Sequence, residues 1–249
     1  MPRFFIEQNQ VAEDYVTIVG DDAHHISRSL RMAAGEKITV CIKEGNQYVC
    51  QLEEFGDGFV KARVLETLSL STELPVRIHL FQALPKGEKF DFIIQKAVEC
   101  GVYDITPFES ERCVVKVKTD AEPRKTERRN KISLEAAKQC GRGLVPNVFS
   151  TISFNEMLEK ASQSDLALFC YEGDDVKQMG KILMDARNYN REIKDISIVI
   201  GSEGGFSSNE ASVAIKSGLL STGLGKRILR AETAAIFALS CLVYEFELN

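Results

Sequence analysis

The spacing of apolar and polar positions changes once along this chain. Lys37 to Lys43, Gln47 to Glu53 and Phe59 to Leu65 alternate apolar and polar residues around two turn signals, Glu44-Gly-Asn46 and Gly56-Asp-Gly58. Phe4 to Ile6 and Tyr15 to Val19 add shorter strand candidates, and Asp21 or Asp22 is placed to cap a helix running through Arg31. The pattern predicts a small antiparallel β-barrel over residues 1–70. Ser69 to Leu74 is polar and ends at Pro75, which reads as the linker to a second domain over 75–249.

From Val76 onward the period lengthens. Strand-like apolar runs (Val76 to Leu80, Leu166 to Cys170, Ile196 to Ile200) alternate with helical stretches (Lys89 to Cys100, Glu127 to Gln139, Asn155 to Ala161, Val176 to Arg187, Asn209 to Lys216, Glu232 to Glu245). That alternation predicts an α/β domain with a parallel sheet. The last stretch is apolar nearly all round, with Ala234, Ala235, Ile236, Phe237, Ala238, Leu239, Cys241, Leu242, Val243 and Phe246. A buried core helix and a dimer face both fit it.

Two glycine-bearing turns carry the candidate chemistry. In the first, a β-branched run ending at Ile200 meets Gly201, Gly204 and Gly205, which let bare backbone approach a ligand. Ser207 and Glu210 follow at capping-box spacing, so a helix is expected from about Ser208. In the second, Leu219 and Leu220 lead into Thr222-Gly-Leu-Gly-Lys-Arg-Ile-Leu-Arg, and Glu232 and Thr233 fall in the first turn of the last helix, where a carboxylate suits the helix dipole. Neither turn has the nucleotide fingerprints, because there is no G-x-G-x-x-G and no G-x-x-x-x-G-K-[ST]. A serine hydrolase is disfavoured: Ile200 stands where the elbow before Ser202 needs glycine, and His24, His25 and His79 all lie upstream.

Ile-Gly-Ser-Glu-Gly-Gly-Phe (200–206), followed by Leu-Gly-Lys-Arg-Ile-Leu-Arg-Ala-Glu-Thr-Ala (224–234), resembles the paired C-terminal signature of the RsmE family. These are SPOUT-superfamily methyltransferases that use S-adenosyl-L-methionine to methylate N3 of a uridine in small-subunit (16S) ribosomal RNA. The family loop usually reads Gly-Pro-Glu-Gly-Gly; Ser202 stands here in place of the proline. Further similarity covers His25-Ile-Ser-Arg28-Ser-Leu30-Arg31, Leu84-Pro-Lys86-Gly87, Gln95-Lys96, Glu99, Gly101-Val102, Glu111-Arg112, Ala136-Ala-Lys-Gln139-Cys-Gly-Arg142 and Val145-Pro146. The matches run from Arg3 to Thr233.

The resemblance implies an N-terminal PUA-like RNA-binding barrel. It also implies a C-terminal SPOUT domain with a trefoil knot, in which segments after Leu168, Ile200 and Leu224 pack together around the cofactor. The residues it assigns to S-adenosyl-L-methionine are Cys170, Tyr171, Ile200, Gly201, Glu203, Gly204, Gly205, Leu224, Gly225, Ile228, Leu229 and Thr233. Arg230 is the candidate to stabilise a uracil oxyanion and Glu232 the candidate general base. Arg3, His25, Arg28, Arg31, Lys86, Lys96 and Arg112 are the candidate RNA contacts, with Arg28 and Arg31 expected three apart on one helical face. A homodimer and a small-subunit RNA or 30S partner are implied as well.

Composition narrows the picture without deciding it. A net charge of −5 and a pI near 5.4 argue against a protein that coats nucleic acid at random. Between Glu111 and Lys131, eight basic residues against four acidic ones leave room for a local basic face. Seven cysteines without a C-x-x-C pair read as reduced, and adjacent His24 and His25 make a poor metal pair, so no metal is expected. The longest apolar run, Ala234 to Tyr244, is too short for a membrane span and the N-terminus lacks a signal-peptide core, so a cytoplasmic protein is expected. Two alternatives stay open: another SPOUT RNA methyltransferase acting on a ribose 2′-hydroxyl or a tRNA base, and a non-catalytic RNA-binding ribosome assembly factor.

Overall fold

Alternating residues in the N-terminal segment build six strands: β1 (Arg3–Ile6), β2 (Val11–Ala12), β3 (Tyr15–Val19), β4 (Lys37–Ile42), β5 (Gln47–Gly56) and β6 (Phe59–Leu68). The structure, a computed structural model, describes residues 1–42, 46–68, 72–115, 119–173, 176–188 and 192–249. Glu44 and Gly45 of the first expected turn and residues 69–71 of the expected linker lie outside that set. By internal contacts the chain divides into two units, Met1–Glu73 with Ala137–Val145, and Leu74–Ala136 with Pro146–Asn249.

In the first unit the strand order is β1-β4-β5-β6-β3-β2, a curled half-barrel. The β1 strand runs parallel to β4, from Arg3 opposite Thr39 to Ile6 opposite Ile42, so the sheet is mixed and the expectation of a wholly antiparallel one is corrected. Alternation reports which face of a strand is buried; it carries no information about direction. Phe4, Val16, Ile18, Ile26, Ile38, Val40, Leu52 and Val60 fill the core. Gly58, at φ +78°, turns the β5–β6 hairpin as its position after Asp57 predicts.

The helix of this unit is shorter than expected. After α1 (Gly20–His24) a single wide turn, His25–Ser29, completes it, and the N-cap is Val19, with Asp21 and Asp22 inside the first turn. Asp22 pairs instead with Lys138 at 3.0 Å. Arg31 lies past the helix end at φ +51°, and the Met32 amide reaches back to the Ile26 carbonyl at 3.0 Å. Arg28 and Arg31 therefore do not share a helical face. Residues 137–145 join this unit through Glu73, whose carboxylate takes the Arg142 guanidinium and the Gly143 and Leu144 amides.

The second unit holds β7 (Arg77–Ala83), α2 (Lys89–Glu99), β8 (Asp104–Glu109), α3 (Glu122–Cys140, to residue 136), β9 (Asn147–Val148), β10 (Ile152–Ser153), α4 (Phe154–Ala161) and β11 (Leu166–Cys170). It continues with β12 (Lys177–Gln178), α5 (Met179–Asn188), β13 (Asp195–Ile200), α6 (Ser208–Lys216), β14 (Leu220–Gly223) and α7 (Ala231–Val243). Its sheet is parallel throughout, ordered β10-β8-β7-β13-β11-β14-β12 with β9 on β8. Ile78, Leu80, Ile105, Leu168, Ile196 and Ile198 are fully buried, as a sheet covered on both faces requires. The late strand β14 inserts between β11 and the earlier β12, an order compatible with the threaded topology that the resemblance implies.

β8 was not foreseen from the pattern. Pro107 interrupts its apolar run, and proline normally argues against an interior strand, yet it lies opposite Gln82 inside the β7–β8 ladder. α3 begins at Glu122 rather than Glu127, with Pro123 tolerated in the first turn, where its missing N–H is not needed. Among the described residues, three of the eight basic residues of this run form ion pairs. Arg128 holds Asp91 at 2.8 Å, buried Arg129 holds Glu122 at 2.9 Å, and Lys131 holds Glu127 at 2.8 Å. Lys116 and Lys118 lie outside the described residues.

Candidate active site

Strands β11, β13 and β14 end side by side, and the chain leaving each one turns into the same cavity. This is where open parallel sheets place their ligands. The cavity measures about 850 Å³ and is lined by residues 170–173, 200–206 and 222–231, with Lys89, Arg112, Val176, Ser208 and Ala234.

The glycine loop after β13 is held from below and from the side. The Ser202 carbonyl accepts the Gly205 amide at 2.9 Å, and Gly205 takes φ +62° to close the turn. Phe206 then drops into the core, its ring 4.3 Å from Phe169 and stacked parallel to Phe108 at 6.3 Å. Burying such a ring contributes about 1.5–3 kcal/mol. A side chain at Gly201 would meet the Phe206 ring at 3.1 Å and Gly205 Cα at 3.3 Å, so the loop packs on itself with backbone only. Beneath it, Gln82 Nε2 donates to the Gly201 carbonyl at 3.2 Å.

The capping box fastens the far end. Ser207 is the N-cap of α6, its Oγ accepting the Glu210 amide, while the buried Glu210 carboxylate accepts the Ser207 amide at 2.9 Å and the Glu111 amide at 2.7 Å. That second bond brings the 110–113 turn to the loop, where Arg112 donates to the Gly204 carbonyl at 3.1 Å. The loop's carboxylate, Glu203, accepts from Lys89 Nζ at 2.7 Å and from the Lys86 amide at 3.1 Å. Burial pushes the Glu203 carboxyl up, and the Lys89 ammonium and backbone amides more than offset this, holding it below the usual carboxylate range.

The residues singled out from sequence distribute clearly. Cys170, Tyr171, Ile200, Gly201, Glu203, Gly204, Gly205, Leu224, Gly225, Ile228, Leu229 and Arg230 all line the one cavity. Burial raises the pKa of the Cys170 thiol, which forms part of the cavity wall. Ile228 stands 84% exposed at the rim beside exposed Lys226 and Arg227. Thr233 is exposed and outside the lining: Ala231 and Ala234 face the cavity, so helical spacing turns Thr233 away. Arg230 is the N-cap of α7, exposed and without an ion pair among the described residues. Glu232 sits in the first turn of α7, its Oε2 buried without a hydrogen-bond partner and 3.8 Å from Lys89 Nζ.

Of the residues assigned to RNA, Arg112 belongs to the cavity wall. Arg3 is spent within the first unit, donating to Gln47 and to the Arg142 carbonyl, each at 3.0 Å. His25 is exposed and edge-on to Phe4, Arg28 is exposed beside a small polar hollow formed with His24, Ser27 and the 56–59 turn, Lys86 is exposed, and Lys96 pairs with Glu99. Sequence reading missed Lys89 as a cavity residue. Its only signal was position, three residues past Lys86 at the start of a helix.

Residues 72–243 match the family model of an RNA methyltransferase domain, and residues 18–65 match that of an RNA methyltransferase PUA domain. The chain is 35% identical to the ribosomal RNA small subunit methyltransferase E of Bacillus subtilis (strain 168), covering all of this chain and 98% of that one. It belongs to the ribosomal RNA small subunit methyltransferase E family.

A solved family member from Neisseria gonorrhoeae, bound to S-adenosyl methionine, superposes with a TM-score of 0.85 at 30% identity over 98% of this chain and 97% of that one. A Legionella pneumophila structure described as a putative methyltransferase in complex with the cofactor superposes at 0.82, with 31% identity over 97% and 96%. The cavity of this family member fits such a ligand on its own terms. Bare glycine backbone at 201, 204, 205, 223 and 225, apolar Ile200, Leu224 and Leu229, and a few polar groups are the make-up of a cofactor pocket, and its size falls within the range of about 300–1,000 Å³ usual for one. Among the described residues no helix is long and apolar enough to cross a membrane, and all seven cysteines are free.

Proposed function

We propose that this chain transfers a methyl group from S-adenosyl-L-methionine to N3 of a uridine in 16S ribosomal RNA. Membership of the family makes it an S-adenosylmethionine-dependent methyltransferase of small-subunit ribosomal RNA. The observation that carries the reading is the convergence of the three strand ends on one glycine-walled cavity with an unpaired arginine at its mouth. When bound, the sulfonium cofactor supplies an electrophilic methyl group.

The chain's own residues do the rest. The backbone at 170–171, 201–205 and 224–229 binds and orients the donor, and Ile200, Leu224 and Leu229 exclude water around it. Uridine N3 carries a proton at neutral pH, which must leave as the new N–C bond forms. Arg230, whose guanidinium makes no hydrogen bond at the α7 cap and has no ion pair among the described residues, stabilises negative charge on the uracil oxygens. Glu232, two residues on, accepts the proton on its carboxylate. Reaching a stacked base requires turning it out, and exposed Arg28, Arg31 and Lys86 grip the flanking backbone. Domain 1–70 then serves as the RNA-binding part and 75–249 as the catalytic part, in a cytoplasmic homodimer joined through the exposed Phe237 and Tyr244 side of the last helix.

The test is nucleoside mass spectrometry after incubating the protein and cofactor with free 16S RNA and with 30S subunits. 3-Methyluridine in either substrate is the expected product. Methylation of ribose, methylation of tRNA alone, or cofactor binding without product overturns the assignment. Neutralising Arg28 and Arg31 together should flatten the salt dependence of RNA binding by about two counterions.

A further inference from the structure

Three segments that are distant in sequence meet at one ammonium group. Lys89 opens α2, Glu203 belongs to the glycine loop after β13, and Glu232 belongs to the first turn of α7. Lys89 Nζ is 2.7 Å from Glu203 Oε1 and 3.8 Å from Glu232 Oε2. The first is a hydrogen-bonded ion pair; the second exceeds hydrogen-bond length. Glu232 Oε2 is out of contact with solvent and has no hydrogen-bond partner among the described residues, where Lys89 is the cation that an ion-pair distance places beside it. Glu203 is saturated by comparison, with the Lys86 amide on the same carboxylate. All three side chains are largely covered, at 33%, 29% and 19% exposure, and Lys89 lines the cavity.

We propose that Lys89 is a positioning residue for methyl transfer, which ties the glycine loop to the start of α7 and orients Glu232 through their shared ammonium. The proposal rests on the reading of Glu232 given above. Without the ammonium, two carboxylates remain at one site with no cation between them, and like charges push the glycine loop and the first turn of α7 apart. An arginine keeps the charge; a methionine keeps only the stem. Lys89 is thus distinguished from a phosphate-gripping lysine, which would act on RNA affinity alone.

The experiment compares Lys89→Met and Lys89→Arg with the wild-type chain in two readouts. In the cofactor-free protein, hydrogen exchange at amides 203–206 should accelerate about tenfold in Lys89→Met and recover in Lys89→Arg, with β13 amides unchanged. In turnover, Lys89→Met should lower kcat by about tenfold or more while the KM for RNA moves less than about threefold, and Lys89→Arg should recover most of kcat. Unchanged loop exchange in Lys89→Met overturns the proposal whatever the activity. So does a loss confined to the KM for RNA, or an arginine variant as impaired as the methionine one. A wild-type chain that methylates no ribosomal RNA while the exchange result holds removes the reading of Glu232 and leaves the loop tie standing.

Discussion

Arg112 and Gly204 pack so closely that a side chain on Gly204 would displace Arg112 by a few tenths of an ångström. The guanidinium donates to the Gly204 carbonyl at 3.1 Å, and a β-carbon built on Gly204 would come within 3.0 Å of Arg112 Cβ and 3.3 Å of its carbonyl oxygen. Gly204 does not take a left-handed φ, so steric crowding and not backbone strain is the obstacle. Gly204→Ala should weaken S-adenosylmethionine binding by about tenfold, read by calorimetry, with the melting temperature nearly unchanged. Arg112→Met should also weaken the cofactor, by about 0.5–1.5 kcal/mol for the lost hydrogen bond. A pure RNA contact would leave cofactor affinity alone.

Arg230 caps α7 with its backbone only, and its side chain makes no hydrogen bond there. Arg230→Ala should therefore leave stability intact and lower turnover by about a hundredfold to a thousandfold, as expected on removing a charge-stabilising donor. Glu232→Gln should also lower turnover. Near-normal kcat at saturating RNA in both variants removes these roles.

The Ser207–Glu210 box supports the loop from the helix side. Ser207→Ala should destabilise the protein by about 1 kcal/mol in denaturant unfolding, the usual loss for an N-cap. Glu210→Ala should cost more, about 2 kcal/mol or above, because the Glu111 and Ser207 amides both lose a buried acceptor. It should also weaken the cofactor, since Arg112 is held through Glu111.

His79 lies between two carboxylates at the opposite end of the sheet, Nδ1 2.9 Å from Asp104 and Nε2 3.1 Å from Asp195, with Arg77 also on Asp195. Burial pulls the imidazole pKa down, but the hydrogen bonds and charges of Asp104 and Asp195 outweigh it, and the net shift is upward. The proton on His79 then stabilises the fold fully below the unfolded value of about 6.5, and that stabilisation is lost as pH rises through the folded value. Asp195, held below the usual carboxylate range against the effect of burial by Arg77 and His79, stays ionised across this window. His79→Gln should be most destabilising at about pH 6 and progressively less so towards about pH 9, by urea unfolding at each pH. A constant difference across that range would refute the paired imidazolium.

Much of the fold is written locally. The β-branched run at Ile196 to Ile200, the glycines after it and the Ser207–Glu210 spacing each declare a strand, a turn and a cap through interactions within a few residues, and all three stand where the chain pattern puts them. The residues of the two C-terminal loops, 200–206 and 224–234, resemble the family signature before any geometry is known. Strand direction was beyond that reading, as β1 beside β4 makes plain, because side-chain alternation is the same for either direction. β8 was hidden by Pro107, whose local preference yields to the packing of its neighbours. Lys89, Glu203 and Glu232 meet through the order of the strands in the sheet, and Arg112 lies against the glycine loop beside the bond that Glu210 accepts from the Glu111 amide. Local sequence specifies elements through short-range hydrogen bonds and burial period. Which charges meet is set by long-range closure of the chain, and that belongs to the tertiary structure alone.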